Sequence, residues 1–181
     1  MIRGFEEGMQ EQSIILRAYQ PNDFNHFWRM ISDFRFDIER EYYNRCIERH
    51  NLGELMIVLC LQNDCAIGFA LLNWQPKYSL FKRLGIPEVQ DLNVLSSHRR
   101  QGIGRKIIEF CEQLATEKGH DTMGIGVGLD SSFGSAQRLY ISMKYIPDGN
   151  GVCYDRMQVS KGEFKPIDEN LSLMMIKTLK N

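Results

Sequence analysis

No stretch of this sequence is long and apolar enough to cross a bilayer as a helix. The two longest apolar runs, residues 56–61 and 66–72, fall far short of the roughly 20 residues that such a helix needs. The first residues are polar and include Arg3, Glu6 and Glu7, so no hydrophobic signal segment is visible. We therefore expect no membrane partner and no secretion.

The sequence also has no large excess of positive or negative charge and no typical metal-binding pattern. The formal net charge is −1, which disfavours a general binder of nucleic acid. The five cysteines form no pattern typical of a disulfide framework. Cys60 and Cys65 bracket a predicted hairpin turn, but no His or Cys lies nearby at zinc spacing. Reduced thiols in a cytoplasmic protein without a metal are the simple interpretation.

The size and composition indicate one globular domain. The chain has 181 residues, of which 43% are hydrophobic and 25% charged, enough for one full-sized core. The first residues carry little periodicity. We therefore expect residues 1–13 to form a flexible arm and residues 14–181 to form the domain.

Apolar periodicity and turn signals predict a mixture of helices and strands. Helices are predicted after Pro21-Asn22-Asp23 and over 36–50, 103–118 and 135–143, and residues 77–86 are typical of a loop or short helix. Strands are predicted over 14–17, 56–61, 66–74, 88–94, 123–129, 151–159 and 171–179, with a turn at 147–151. Two of these strands, 56–61 and 66–74, are apolar almost throughout, which indicates a sheet covered on both faces.

A glycine-rich, basic loop precedes the helix predicted over 103–118. The first turn of a helix offers unpaired N–H groups and the positive end of the helix dipole, so it favours a phosphate. Gly102 and Gly104 let the backbone approach an anion because no Cβ intervenes. The surrounding cations are Arg99, Arg100, Arg105 and Lys106. The segment is typical of a diphosphate site, although an ordinary turn with a solvated basic face fits the same residues.

The strand predicted over 88–94 changes phase along its length. Alternate residues of a regular strand face the same side, but Val89 is apolar on one phase and Leu92 and Val94 on the other. A β-bulge at 90–92 would reconcile the two phases. Such a bulge would separate this strand from a neighbour and leave backbone groups free to bind a ligand. An irregularity at a sheet edge is the alternative.

Two segments resemble the signature motifs of the GNAT acetyltransferases. Residues 94–104 resemble motif A, whose loop has the pattern Q/R-x-x-G-x-G/A, filled here by Arg99, Gly102 and Gly104. Residues 134–140 resemble motif B, in which an alanine precedes a Leu-Tyr pair. The order of elements is similar over 14–179. The resemblance implies an α/β (α+β) domain with a central mixed, mostly antiparallel sheet, flanked by helices and carrying a bulged signature strand.

Membership of this family would imply transfer of an acetyl group from acetyl-CoA to an amine of a small molecule or protein. The amine attacks directly, through a tetrahedral intermediate and without a metal. The implied oxyanion donor is the backbone N–H near Val94. The implied cofactor-binding residues are Asn93, Val94, Arg99, Arg100, Gln101, Gly102, Ile103, Gly104 and Arg105.

The resemblance also suggests two catalytic residues. Tyr140 matches the motif B tyrosine and is the candidate general acid, since a phenol with a pKa of about 10 stays protonated at neutral pH. Glu88 is the candidate general base. It lies 14 residues before Gly102, where some GNAT histone acetyltransferases have their catalytic glutamate. Asp91 or a water relay is the alternative base, and a tyrosine that only packs its helix is the alternative for Tyr140.

Two positions depart from the family pattern. Phe133 stands where many members have an asparagine that contacts the pantetheine arm, and Lys144-Tyr145 stands where Gly-Phe is usual. Lysine in a left-handed helix cap costs on the order of 1 kcal/mol relative to glycine, so we expect this turn to be built differently.

Two other functions fit parts of the sequence. A non-catalytic acyl-CoA-binding sensor or interaction domain would share the fold. Gly124, Gly126 and Gly128 superficially resemble the fingerprint of a Rossmann nucleotide-binding enzyme, but no helix follows them at the correct spacing. The sequence identifies neither the acceptor amine nor the oligomeric state, and a homodimer is one possible state.

Overall fold

The computed structural model describes residues 13–34 and 40–180. Residues 1–12 of the expected arm and residues 36–39 of the second predicted helix lie outside these ranges. The helices are α1 (Phe24–Phe34), α2 (Arg40–Asn51), α3 (Ser79–Leu84), α4 (Ile103–Glu117) and α5 (Gly134–Ser142). The strands are β1 (Ile14–Ala18), β2 (Leu55–Gln62), β3 (Cys65–Asn73), β4 (Glu88–Val94), β5 (Thr122–Gly128), β6 (Ile146–Tyr154), β7 (Met157–Gln158) and β8 (Leu171–Thr178).

These strands form a mixed sheet with the order β1-β2-β3-β4-β5-β8-β6-β7. All neighbours are antiparallel except β4 and β5, which run parallel. The expected mixed, mostly antiparallel sheet is therefore confirmed. None of the helices in the described part of the chain has the length and hydropathy to span a membrane.

Helices cover both faces of the sheet, as the apolar strands predict. On one face, Ile107, Cys111 and Ala115 of α4 are completely buried. On the other face, Phe27 of α1 packs edge-on against Phe69 of β3 with ring centroids 5.5 Å apart, and α2 adds further aromatic contacts. Burial of such side chains contributes roughly 1.5–3 kcal/mol each, so packing against the sheet fixes the position of α4.

The predicted bulge in β4 is present. Phe69 pairs with Asn93 and Leu71 pairs with Gln90, so two residues of β4 face one residue of β3. Asp91, in the bulge, has a φ of 49°, which a non-glycine residue rarely adopts. Beyond the bulge, β4 no longer pairs with β5, because the two strands pair only at Glu88 and Val89.

The glycines of β5 make room for aromatic rings. A Cβ on Gly124 would overlap the ring of Phe81, and one on Gly128 would overlap the ring of Phe133. The strand pairs with β8 along all seven of its residues. These glycines are therefore part of a packed strand, and the dinucleotide-fingerprint interpretation is wrong.

The structure departs from the sequence predictions at two turns. Residues 147–151, predicted as a turn, lie within β6 as a wide irregularity between Pro147 and Val152. Lys144 does adopt the left-handed conformation, with a φ of 70°. The amide of Tyr145 donates to the carbonyl of Tyr140 at 3.0 Å, so the end of α5 keeps the usual glycine-type cap despite the lysine.

Candidate active site

A cavity of about 530 Å³ opens between the end of β4, the loop at 98–102, the first turn of α4, and α5. It brings together most of the residues that the sequence suggested: Asn93, Val94, Arg99, Arg100, Gly102, Ile103, Gly104, Arg105 and Tyr140. Gln101 does not line it, since its side chain donates to the carbonyl of Ser97 at 3.3 Å. Glu88 lies outside it as well.

The loop before α4 has a conformation that exposes the start of the helix. Gly102 is the N-cap residue, with a φ of 78°, and Arg100 has a φ of 60°. No atom lies within 4 Å of a Cβ built on Gly102, so glycine is favoured here by its backbone angle, with open space in front of it. The first hydrogen bond of the helix runs from Lys106 to Gly102 at 3.1 Å. The amides of 103–105 precede it and have no acceptor within the helix.

Two of the predicted cofactor-binding arginines are engaged by the protein itself. Nε of Arg99 donates to the carbonyl of Val94 at 2.9 Å and ties the loop to the end of β4. Arg105 donates to Oγ of Ser142 at 2.7 Å and so links α4 to α5. Ile103 is 2% exposed, which leaves only its backbone for a ligand. These contacts shape the cavity and leave the helix N-terminus as its main anion-binding element.

The separation of β4 from β5 leaves the amide of Val94 without a partner strand on the side of β5. The amide of Leu95 donates to Ile67 on β3 at 2.9 Å, and successive amides of a strand point to opposite sides. The amide of Val94 therefore points toward β5, which pairs with β4 only at Glu88 and Val89.

Tyr140 closes the cavity from α5. It is 5% exposed, and burial raises the pKa of its hydroxyl, which is therefore protonated at neutral pH. That hydroxyl makes no hydrogen bond to another residue within the described ranges. Gln137 donates to the carbonyl of Gly128 at 2.9 Å and holds α5 against the end of β5.

Phe133 and six other residues line the cavity without having been proposed as site residues. The ring of Phe133 packs over Gly128. The others are Leu92, His98, Ser132, Ser135, Ala136 and Leu139. The phase change in β4 placed Leu92 on this face, but no sequence signal identified the serines.

Glu88 is a completely buried carboxylate on the opposite face of β4. One oxygen accepts a hydrogen bond from Gln90 at 2.9 Å. The other lies 3.0 Å from a guanidinium nitrogen of Arg156, an ion pair whose angles do not satisfy a hydrogen bond. Burial raises the pKa of Glu88 and the charge of Asp91 adds to this, whereas Arg156 and Gln90 oppose it. Glu88 can therefore exchange a proton only through its neighbours or through water.

Asp91 is held in the bulge from the other side of the domain. The hydroxyl of Tyr42 on α2 donates to its carboxylate at 2.8 Å. Burial, followed by the charge of Asp91, raises the pKa of Tyr42, so this tyrosine remains the donor. A strained residue with a defined partner next to a cleft is typical of a functional position.

A second cavity, of about 320 Å³, lies on the Glu88 side of β4. Gln90 lines it, whereas Leu92, Asn93 and Val94 line the first cavity, so the two cavities flank the bulge. The remaining lining residues are all polar or charged: Tyr42, Arg49, Asn73, Lys77, Asp155, Arg156, Glu169 and Asn170. We found no group of three or more His, Cys, Asp or Glu side chains suited to a metal within 13–34 and 40–180.

Comparison with known proteins agrees with this geometry. The model of the acetyltransferase (GNAT) family matches residues 18–143. No match was found among curated protein sequences. Among solved structures, a GNAT-family protein from Desulfovibrio desulfuricans is 11% identical, with a TM-score of 0.70 over 93% of this chain and 100% of that chain.

Two further structures of the same fold contain a cofactor. The Salmonella typhimurium yncA protein, solved with its cofactor acetyl-CoA, is 15% identical, with a TM-score of 0.66 over 93% of this chain and 95% of that one. An aminoglycoside 6'-N-acetyltransferase in complex with coenzyme A is 16% identical, with a TM-score of 0.65 over 92% of this chain and 98% of that one. Since the family model matches residues 18–143, well over half of the chain, and the overall fold agrees with these structures, the chain belongs to the GNAT acetyltransferase family.

Proposed function

We propose that this protein transfers the acetyl group of acetyl-CoA to an amine. One observation carries the proposal: a single cavity is lined by the open first turn of α4, by the end of β4 that does not pair with β5, and by Tyr140. The reaction needs a binding site for a diphosphate, a hydrogen-bond donor to an oxyanion and a proton for a thiolate, and these three elements supply them in that order. That residues 14–181 form one catalytic domain in the cytoplasm stays a prediction.

The residues of the first cavity fit a diphosphate. The amides of 103–105 and the helix dipole favour an anion at the start of α4, and the open space at Gly102 admits one. Arg99, Arg100 and Arg105 surround this point with positive charge. Acetyl-CoA would supply the thioester, and its diphosphate would lie at this helix end.

The end of β4 would bind the carbonyl oxygen of the acetyl group. The amide of Val94 points into the space between β4 and β5, and a backbone donor fixed in a sheet needs no reorganisation as charge develops on the oxygen. Tyr140 would then give its proton to the sulfur as the carbon–sulfur bond breaks. Burial keeps the Tyr140 hydroxyl protonated until that step.

Glu88 would receive the proton of the amine through water in the second cavity. The pKa of Glu88 is raised toward neutral pH, which suits a base that operates near pH 7. Gln90 and Arg156 contact Glu88 and also line the cavity, so a water there is one contact away from the carboxylate. Asp91, held by Tyr42, is the second candidate, and the pH–rate profiles of Glu88→Gln and Asp91→Asn distinguish the two.

Isothermal titration of the purified protein with acetyl-CoA, NAD and ATP tests the cofactor. We expect micromolar binding of acetyl-CoA alone, abolished by Gly102→Glu because glutamate would repel a diphosphate. Gly53→Glu is the matched control, since Gly53 has a φ of 74° and equally open space, far from the cavity. A folded wild-type protein that fails to bind acetyl-CoA would refute the proposal.

Turnover separates an enzyme from an acyl-CoA-binding sensor. We expect Tyr140→Phe to bind acetyl-CoA almost as well as the wild type, and to lose about 10²- to 10⁴-fold in kcat, the usual contribution of a general acid. Thiol release measured over a panel of amines reports this loss. Binding of acetyl-CoA without transfer to any amine would favour the sensor.

A further inference from the structure

The charges in the second cavity select the kind of amine that could be acetylated, if the proposed function holds. Three cationic side chains line this cavity of about 320 Å³: Arg49 from α2, Lys77 from the segment before α3, and Arg156 from the turn between β6 and β7. They come from three distant parts of the chain and converge on one small space beside the bulge.

Arg156 is directed into the cavity by an unusual turn. Asp155 and Arg156 connect β6 to β7 with φ values of 46° and 64°, so two non-glycine residues in succession adopt the left-handed conformation. Two-residue hairpin turns of this kind strongly favour Asn-Gly or Asp-Gly, because both turn positions need a positive φ. The strain at Arg156 is offset by its inward guanidinium, which pairs with the buried Glu88 while 27% of the side chain stays exposed.

Arg49 and Lys77 provide positive charge on the other walls. Arg49 is oriented by Glu54 and by Asn73, each at 3.1 Å, so its guanidinium is held in place before any ligand arrives. Lys77 is exposed and has no ion pair within the described ranges. A guanidinium held in place and an ammonium group without an ion pair are both typical partners of a carboxylate.

The same cavity also contains negative charge, which excludes a purely anionic ligand. Asp155 and Glu169 line it together with the three cations. Arg49 is already paired with Glu54 and Arg156 with Glu88, so Lys77 is the lining cation without an ion pair among the described residues. An amine that carries a carboxylate could pair with this lysine, whereas a polycationic amine could not. A volume of about 320 Å³ lies at the small end of ligand cavities, which suits a compact molecule.

We infer that the acceptor is a small amine that also carries a carboxylate, of the amino-acid class. The carboxylate lies against Lys77, beside Arg49 and Arg156, and the amine faces Gln90 and the bulge of β4. The acceptor specificity therefore resides in the cationic wall, and the chemistry resides in the bulge.

Matched pairs of amino acids and their amides test the inference. The amide has the same size, and its amine is more readily neutral, so intrinsic reactivity favours the amide. We expect the reverse from the enzyme: kcat/KM at least about tenfold higher for the free carboxylate, the factor that one lost charged contact commonly costs.

The variant Lys77→Met tests whether Lys77 is responsible for the preference for the free carboxylate. It should raise KM for the amino acid about tenfold with kcat unchanged, as for a contact made equally in the ground and transition states, and should leave the amide unaffected. Lys82→Met, an exposed lysine of α3 outside the cavity, is the matched control. Arg156→Lys, which keeps the charge but loses the planar fork, should show the same preference at lower kcat/KM.

The outcomes separate this inference from the proposed function. Equal turnover of acids and amides, or a KM that Lys77→Met does not change, would overturn the inference while the acetyltransferase activity stands. Acetylation confined to polyamines would overturn it in the same way. If no carboxylate-bearing amine reacts, the inference also fails, and titration with acetyl-CoA then shows whether the proposed function fails with it.

Discussion

Removal of Arg156 should expose how strongly the buried Glu88 depends on its partner. Glu88 is 0% exposed and its ion pair with Arg156 is 3.0 Å long. Breaking a buried pair by removing one partner costs about 3–5 kcal/mol. Because 27% of the Arg156 side chain is exposed and therefore partly screened, we expect the lower end, about 3 kcal/mol, for Arg156→Met. For a chain of this size that corresponds to a fall in Tm of about 6–12 °C.

The loss of stability caused by Arg156→Met should increase with pH. The pKa of Glu88 is raised, so the folded protein holds this proton more tightly than the unfolded chain does, and stability falls as the pH rises through the folded value. Removing Arg156 takes away an influence that lowers this pKa, so the fall extends to higher pH and becomes larger in total. Urea denaturation at pH 5 and pH 8 measures the free energy of unfolding of the wild type and of Arg156→Met. The difference between the two proteins should be larger at pH 8.

Two further variants make the reasoning falsifiable. The double variant Glu88→Gln, Arg156→Met should recover most of the lost stability, since no charge is left buried. Arg45→Met is the control, because the pair of Arg45 with Glu41 is exposed and should contribute less than about 1 kcal/mol. A deficit below about 1 kcal/mol at pH 8 for Arg156→Met, or a double variant as unstable as the single one, would refute the account.

Two other predictions concern stability alone. Lys144→Gly should raise the free energy of unfolding by about 1 kcal/mol, because glycine adopts the φ of 70° at the end of α5 without strain; an unchanged urea midpoint would contradict this. His50 accepts from the amide of Ile57 at 3.2 Å and contacts the carbonyl of Tyr19 at 3.1 Å, and burial lowers its pKa. The unfolded chain therefore binds this proton more readily, so the contribution of His50 to stability should be lost as the pH falls below its ordinary pKa of about 6.5. Thermal melts of His50→Gln over the same pH range should lack this part of the change.

The sequence predicted the parts of the site that depend on local pattern. The phase change between Val89 and Leu92 located the bulge, because one extra residue is the simple way to keep both side chains on the α4 face. The basic loop before α4 located the helix N-terminus. Both signals are contained within about a dozen residues of chain, so neighbouring residues were sufficient to read them.

The parts that the sequence could not predict depend on distant segments. The spacing to Gly102 suggested Glu88 as a base, but it did not indicate the ion pair with Arg156, 68 positions later in the sequence. Arg156 lies in a turn whose backbone angles no local pattern indicated. Tyr42 reaches Asp91 from α2 across 49 positions. Lys144 kept a glycine-type turn because the packing of Tyr145, which is 1% exposed, outweighs a backbone cost of about 1 kcal/mol.

The separation of β4 from β5 divides the sheet into two panels. One panel contains β1 to β4 and the other contains β5, β8, β6 and β7, and the two pair directly only at Glu88 and Val89. Helix α4 spans this seam: Ile107 packs on the first panel, while Glu112 accepts hydrogen bonds from Tyr145 at 3.0 Å and from Lys177 of β8 at 2.6 Å. The second cavity lies on this seam, because Gln90 of β4 lines it together with Asp155 and Arg156 of the turn between β6 and β7. A ligand that fills it would contact both panels and so connect the two halves of the sheet.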